Sequence, residues 1–253
     1  METGLKGRKV IVTGGGSGIG RAAVLAFATE GASVLVADIN GDGARSAAEE
    51  ARAAGVAAQA VVGDLSAPEV VAEVVRTAVE ELGGVDVLVN NAGIMDDMSA
   101  TADVGDEMWE RLIRVNLTAP FLLTRAVLPI MKEQGSGSVV FTASEASLRG
   151  GASGTAYTVS KHGVMGLVKS TAVMYRDHGI RVNAVAPGGT ATNIAVGTPT
   201  SVDGPTALGR YANGIGRIAA AEELAAAIVF LASDAASNVN GAILPVDNGW
   251  SAV

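Results

Sequence analysis

Short apolar runs rich in β-branched residues recur along the whole chain, and Ala-rich segments of helical length separate them. The runs Val10–Thr13, Ser33–Asp38, Ala58–Gly63, Val85–Asn90, Ser138–Ala143, Ile180–Ala186 and Ala242–Val246 are apolar at nearly every position, as strands buried on both faces must be. Between them lie Ile19–Glu30, Gly43–Ala54, Pro68–Leu82, Asp106–Glu133, Ala156–Asp177 and Glu222–Ser233, each long enough for a helix. Strict alternation of such strands and helices predicts a doubly wound α/β fold, a seven-stranded parallel sheet with helices on both faces. No Pro/Gly/Ser linker divides the chain, so residues 1–253 read as a single domain. The stretch Thr190–Gly216 breaks the rhythm. It is rich in Gly, Pro, Thr and Ala without clear periodicity, and a loop of that length reads as a functional lid.

Composition narrows the chemistry. Apolar residues make up 49% of the 253 and charged residues 17%, enough for a large core. With no cysteine and only His162 and His178 as imidazoles, thiol catalysis and a Cys- or His-rich metal centre are not expected. The net charge of −8, without a Lys/Arg cluster, argues against nucleic acid and anionic membranes as partners. Neither a long apolar leader nor an uninterrupted membrane-length apolar run is present, and a cytoplasmic protein is expected.

The first strand runs directly into Thr13-Gly14-Gly15-Gly16-Ser17-Gly18-Ile19-Gly20 and then a helix. Glycines at such a turn let the backbone approach a pyrophosphate, whose charge the helix N-terminus faces. Tight turns also use glycine, but the strand–turn–helix setting favours the nucleotide. The second strand ends at Asp38, where a carboxylate accepts hydrogen bonds from ribose hydroxyls and repels a 2′-phosphate. Ile39 follows it and Ser17 precedes Gly18, so no cation waits for that phosphate and NAD is favoured over NADP.

Tyr157 and Lys161 stand four apart at the start of a long apolar helix and so share a face. A cation beside a phenol lowers its pKa, which prepares a tyrosine for acid/base work. By itself the pair is also what any helix surface presents. Ser144, thirteen residues upstream, closes the fifth strand at the sheet edge where open α/β folds do their chemistry.

Together with Asn90-Asn91-Ala92-Gly93, Asn116 and Pro187-Gly188, these motifs make the chain resemble a short-chain dehydrogenase/reductase over essentially its whole length. The resemblance implies Tyr157 as general acid/base, Lys161 as its pKa-lowering partner and a ribose ligand, and Ser144 as the hydrogen-bond partner of the substrate oxygen. It implies Asn116 as the link from Lys161 to a water relay. It further implies cofactor contacts from Gly14, Ser17, Gly18, Ile19, Gly20, Asp38 and Ile39. Asp64 and Leu65 would meet the adenine, Asn90, Ala92 and Gly93 would flank the ribose, and Pro187, Gly188, Thr190 and Thr192 would lie by the nicotinamide. Thr190 departs from the family's usual Val or Ile, which puts its contact in question. Ser147 is a lesser rival to Ser144. Glu145 and Met95 are the candidates for substrate contact, although Glu145 reads rather as a solvated or Arg149-paired carboxylate, and Asp96 and Asp97 as an exposed loop tip.

The expected activity is NAD-dependent interconversion of a secondary alcohol and its ketone. The alternatives are a 3-oxoacyl-(acyl carrier protein) reductase and a non-catalytic NAD-binding regulator. The first usually carries arginines where this chain has Gly135 and His178, and the second would have lost Ser144, Tyr157 or Lys161. The surplus apolar surface of Val115–Met131 and Val164–Tyr175 suggests burial against other subunits, and the family's habits imply a homotetramer.

Overall fold

The computed structural model describes residues 2–252. Strands β1 (Lys9–Thr13), β2 (Ser33–Asp38), β3 (Ala58–Val62), β4 (Val87–Asn90), β5 (Gly137–Thr142), β6 (Ile180–Pro187) and β7 (Ile243–Val246) form one sheet in the order β3-β2-β1-β4-β5-β6-β7. Every pairing is parallel. The winding direction reverses between β1 and β4, and the crevice opened at their C-terminal ends is where such sheets bind ligands.

Period-two alternation sorts each strand between two cores. Val10, Val12, Val34, Val36, Val87 and Val89 face α1 (Gly18–Thr29), α2 (Gly41–Ala53) and α8 (Ala221–Ala232). Ile11, Leu35, Leu88, Val139 and Phe141 face the opposite layer of α3 (Pro68–Thr77), α5 (Ala119–Gln134) and α6 (Thr155–Tyr175). Most of these side chains are fully buried; at roughly 1.5–3 kcal/mol per buried Val, Leu, Ile or Phe, they dominate the stability of the sheet.

Two expected elements differ. The helix expected over 106–133 is α4 (Asp106–Ile113) continued by a π turn at Arg114–Thr118 and then α5. A π turn inserts a residue into the helical ladder, and here it carries Asn116 toward the site. Asp106–Gln134 is long and apolar enough on average to match a membrane span, but Leu123, Val127 and Met131 are buried in the second core. The loop 190–216 is not wholly irregular, since it contains the short helix α7 (Asp203–Gly209).

Candidate active site

The tips of β1, β2, β4, β5 and β6 surround one cavity of about 910 Å3, large enough for a dinucleotide and a small substrate. Its floor is the glycine turn. Gly14 has φ +63°, and a Cβ there would lie 2.9 Å from the Ala92 Cα, so the turn accepts no side chain. A Cβ on Gly20 would fall 2.1 Å from the Gly14 carbonyl oxygen, which is how closely α1 approaches the turn. Asp38 and Ile39 border one end of the cavity, with Asp64 and Leu65 beside them. Asp38 Oδ2 accepts from the Gly16 N–H at 2.8 Å and Oδ1 from the Asn40 N–H at 2.8 Å, which fixes its carboxylate against the turn. Hydrogen bonds from the Ser66 N–H and hydroxyl hold Asp64 below the usual carboxylate range. A backbone cradle with room for no side chain, followed by a fixed carboxylate, fits a dinucleotide cofactor.

The other end holds Ser144, Tyr157 and Lys161, all lining the same cavity. Lys161 Nζ donates to the Thr142 carbonyl at 2.8 Å and lies 5.5 Å from the Tyr157 ring centroid. Burial pushes the Tyr157 phenol up to about 12, against the Ser144 hydrogen bond that lowers it; the Asp96 carboxylate adds to the rise. Burial pulls the Lys161 ammonium down to about 8. Burial therefore dominates the pKa of both groups. The ammonium sits over the ring while burial penalises both charged forms, so the resting phenol is protonated at neutral pH.

The family model described as enoyl-(acyl carrier protein) reductase matches residues 14–251. The 3β-hydroxysteroid dehydrogenase 2 of Eggerthella lenta is 43% identical over 251 residues, covering 98% of this chain and 96% of its own. The chain is a short-chain dehydrogenase/reductase. The cis-4-hydroxycyclohexanecarboxylate dehydrogenase of Sinomonas cyclohexanicum, another relative, is 42% identical over 246 residues, 97% of each chain. Among solved structures, levodione reductase superposes with TM-score 0.88 at 35% identity, over 98% of this chain and 99% of its own. Two structural relatives carry cofactors. A Mycobacterium paratuberculosis short chain dehydrogenase bound to NAD has TM-score 0.88 at 29% identity, covering 99% of this chain and 100% of its own. A protein of Beutenbergia cavernae, assigned as an NAD(P) dependent gluconate 5-dehydrogenase and holding NADP at low occupancy, has TM-score 0.85 at 40% identity, covering 98% of each chain.

Within this short-chain dehydrogenase/reductase fold, most of the expected cofactor residues line the cavity: Ser17, Gly18, Ile19, Ala92, Gly93, Pro187, Gly188, Thr190 and Thr192 among them. Three residues take other positions. Gly20 faces the Gly14 carbonyl instead of the open cavity. Asn90 points away, donating to Thr124 Oγ1 at 2.9 Å. Its neighbour Asn91 ties the strand tips, donating to the Thr13 carbonyl while its Oδ1 accepts from Thr142 Oγ1. Asn116 is buried behind the cavity wall, where a Cβ on Gly93 would stand 3.2 Å from its Oδ1 and 3.5 Å from Lys161 Nζ. Its Oδ1 accepts from Ile94 N–H at 2.9 Å while Nδ2 donates to the Ile94 carbonyl and Ser160 Oγ, so its side chain clamps the segment after β4. Ser147 is buried too, donating to the Ser144 carbonyl.

One surface expectation fails, and for Glu145 the Arg149-paired alternative holds in place of the solvated one. Asp96 and Asp97 are buried, at 1% and 7% exposure, because loop and helix backbone donors need their carboxylates. Glu145 is 1% exposed, not solvated, and its Oε1 pairs with Arg149 Nε. Burial raises its carboxyl, against the pull of Arg149, and the nearby Asp247 carboxylate raises it further. Arg149 also donates to the Trp250 carbonyl and lies over its ring at 5.1 Å. Trp250 thus walls the cavity with Met95, Ile94, Ile215 and Val196. Its one visible signal was a large aromatic in a polar C-terminal segment.

Proposed function

We propose that this chain is an NAD-dependent oxidoreductase interconverting a secondary alcohol on a largely apolar ring with its ketone, and that residues 1–253 act as one catalytic domain. The observation that carries the reading is the convergence of Ser144, Tyr157 and Lys161 in one cavity with the glycine turn and Asp38. Ser144 and Tyr157 hold the substrate oxygen between two hydroxyls that line the same cavity, the Ser144 side lowering the phenol. Tyr157 exchanges the proton with that oxygen, giving it to a ketone or taking it from an alcohol. A phenol near 12 suits donation, and removal of an alcohol proton requires added positive charge in the closed site. Lys161 supplies one such charge and is shaped to hold a ribose; when bound, the cofactor supplies hydride transfer. Asn116 braces the segment after β4 against α6. Holding reactants in contact is worth ~7–11 kcal/mol of the barrier, ahead of any proton transfer.

NAD is favoured by Asp38, which an apolar Ile39 and not a cation follows at the end of β2. A neutral ring substrate is favoured by the apolar wall of Ile94, Met95, Ile215 and Trp250. The steroid and cyclohexanecarboxylate names of two relatives agree with a ring-borne alcohol, and the second of them carries a carboxylate. Phe121, Val159, Val173 and Met174, exposed on α5 and α6, support a homotetramer, testable by sedimentation. The deciding experiment follows NAD⁺ reduction over a panel of cyclic, aryl and polyol secondary alcohols, for wild type and Tyr157→Phe. Wild type should oxidise cyclic alcohols. The Phe variant should bind NAD⁺ normally and lose at least ~10²-fold in kcat. A Phe variant keeping more than a few per cent of kcat, with hydride transfer rate-limiting, would overturn the assignment.

A further inference from the structure

The catalytic helix begins without a cap of its own. Gly154 at the N-cap position of α6 has no side chain to offer, yet the Thr155 and Tyr157 N–H groups of the first turn find acceptors elsewhere in the chain. The segment after β4 serves them. The Ser99 carbonyl accepts from the Thr155 N–H at 3.1 Å, and Asp96 Oδ2 accepts from the Tyr157 N–H at 3.0 Å. Asp96 Oδ1 accepts from the Met98 N–H at 3.1 Å and the Ser153 hydroxyl at 3.2 Å. Met98 has φ +64°, a conformation that costs a non-glycine residue free energy, and the carboxylate bond helps to hold it. A Cβ on Gly154 would stand 2.6 Å from Asp96 Oδ2, so the glycine makes room for the carboxylate. On the other side, the Asp96 carbonyl accepts from the Gly197 N–H in the lid at 3.1 Å.

We propose that Asp96 is a positioning residue for Tyr157: its buried carboxylate caps the catalytic helix from another part of the chain, setting where the phenol stands, and its carbonyl couples that helix to the seating of the lid. This rests on the acid/base role proposed for Tyr157. The bond is made at Tyr157's own backbone nitrogen, so any shift of the carboxylate moves the residue that transfers the proton. The carboxylate also disfavours the phenolate. The other charged groups around Tyr157 are Lys161 on α6, the Glu145–Arg149 pair and Asp247 behind Ser144, Asp97 beside Asp96, and Arg111 and Arg114 of the 106–134 helix across the cavity. An Asp96→Asn change leaves all of those in place.

The test compares Asp96→Asn and Ser153→Ala with wild type, using a deuterated alcohol to confirm that hydride transfer limits the rate. An asparagine has one carbonyl oxygen for the two backbone donors at Met98 and Tyr157. We expect kcat to fall ~10–100-fold, as for a misplaced acid/base group, with the Kd for NAD⁺ within twofold of wild type. With the carboxylate's charge gone, the phenol ionises more easily, and the limb of alcohol oxidation that rises with pH should move down by ~1 unit. Ser153→Ala keeps both backbone bonds but removes a hydroxyl donor from the carboxylate. It should keep kcat within about threefold and move the limb the other way, which preserves a test if Asp96→Asn does not fold. Unchanged kcat in Asp96→Asn overturns the proposal. So does a loss of kcat with an unmoved limb, or one matched by lost NAD⁺ affinity, and so does an unmoved limb in Ser153→Ala. If Tyr157→Phe is inactive while Asp96→Asn is normal, only the positioning role fails; an active Tyr157→Phe removes the reading on which it rests.

Discussion

Replacing Asp38 by Ser and Ile39 by Arg should turn the preference from NAD⁺ toward NADP⁺. Asp38 already accepts two backbone N–H groups at 2.8 Å, one on each oxygen, and each oxygen retains acceptor capacity for a ribose hydroxyl. Two charge-assisted bonds to the ribose are each worth about 1.5–3 kcal/mol. NADP replaces one hydroxyl by a phosphate and sets a dianion against the carboxylate. Serine removes that repulsion, and Ile39 is 73% exposed, so an arginine there has room to meet the phosphate bidentately. The change also takes an acceptor from the Gly16 N–H and loosens the glycine turn, which weakens both cofactors. That common loss cancels in the ratio of the two kcat/KM values, which therefore isolates the ribose. The ratio should move toward NADP⁺ by at least ~10²-fold, about 2.7 kcal/mol. Both cofactors are measured at saturating alcohol for wild type and double variant. A wild type that uses the two equally well refutes the reasoning at once. A folded double variant that still prefers NAD⁺ would move the discrimination to Ser17 in the turn.

Two further outcomes follow from the buried charges. Glu145→Gln breaks the pairing with Arg149, which holds Trp250 at the substrate wall; KM for bulky ring alcohols should rise ~3–10-fold, more than kcat changes, with about 1–3 kcal/mol lost in denaturant unfolding. A KM unchanged across a panel of ring sizes would detach Trp250 from the substrate. Lys161 is an ammonium whose folded pKa, about 8, lies below its unfolded 10.5, so the unfolded chain binds the extra proton between those values. The cofactor-free protein should gain stability as pH rises from 8 to 10, by about 2 kcal/mol from this group. Above pH 10 the raised phenol of Tyr157 acts oppositely, because the unfolded tyrosine ionises first. Urea midpoints for wild type and Lys161→Met check this; parallel pH curves would refute it.

The alternation of buried runs and helical segments in the sequence determined the sheet, because a strand covered on both faces must be apolar throughout, as Val10-Ile11-Val12 is. The glycine turn, Asp38 and the Tyr157–Lys161 spacing were legible for a similar reason: each is a local geometry written within a few residues. The long-range partners were not. Asp96 looks like any polar loop residue until α6 brings the Tyr157 N–H, 61 residues on, against its carboxylate. Glu145 becomes a buried half of a pair only when Arg149 is drawn to Trp250, 101 residues away. Asn90 and Asn91 read alike in sequence, and only the strand's alternation sent the first toward Thr124 and the second to the strand tips. The π turn at Asn116 leaves the apolar pattern of its helix intact, so packing against Ile94 and Ser160 revealed it. A periodic pattern records which face is buried. It carries no record of which distant donor a buried carboxylate will meet, and that choice belongs to the tertiary fold.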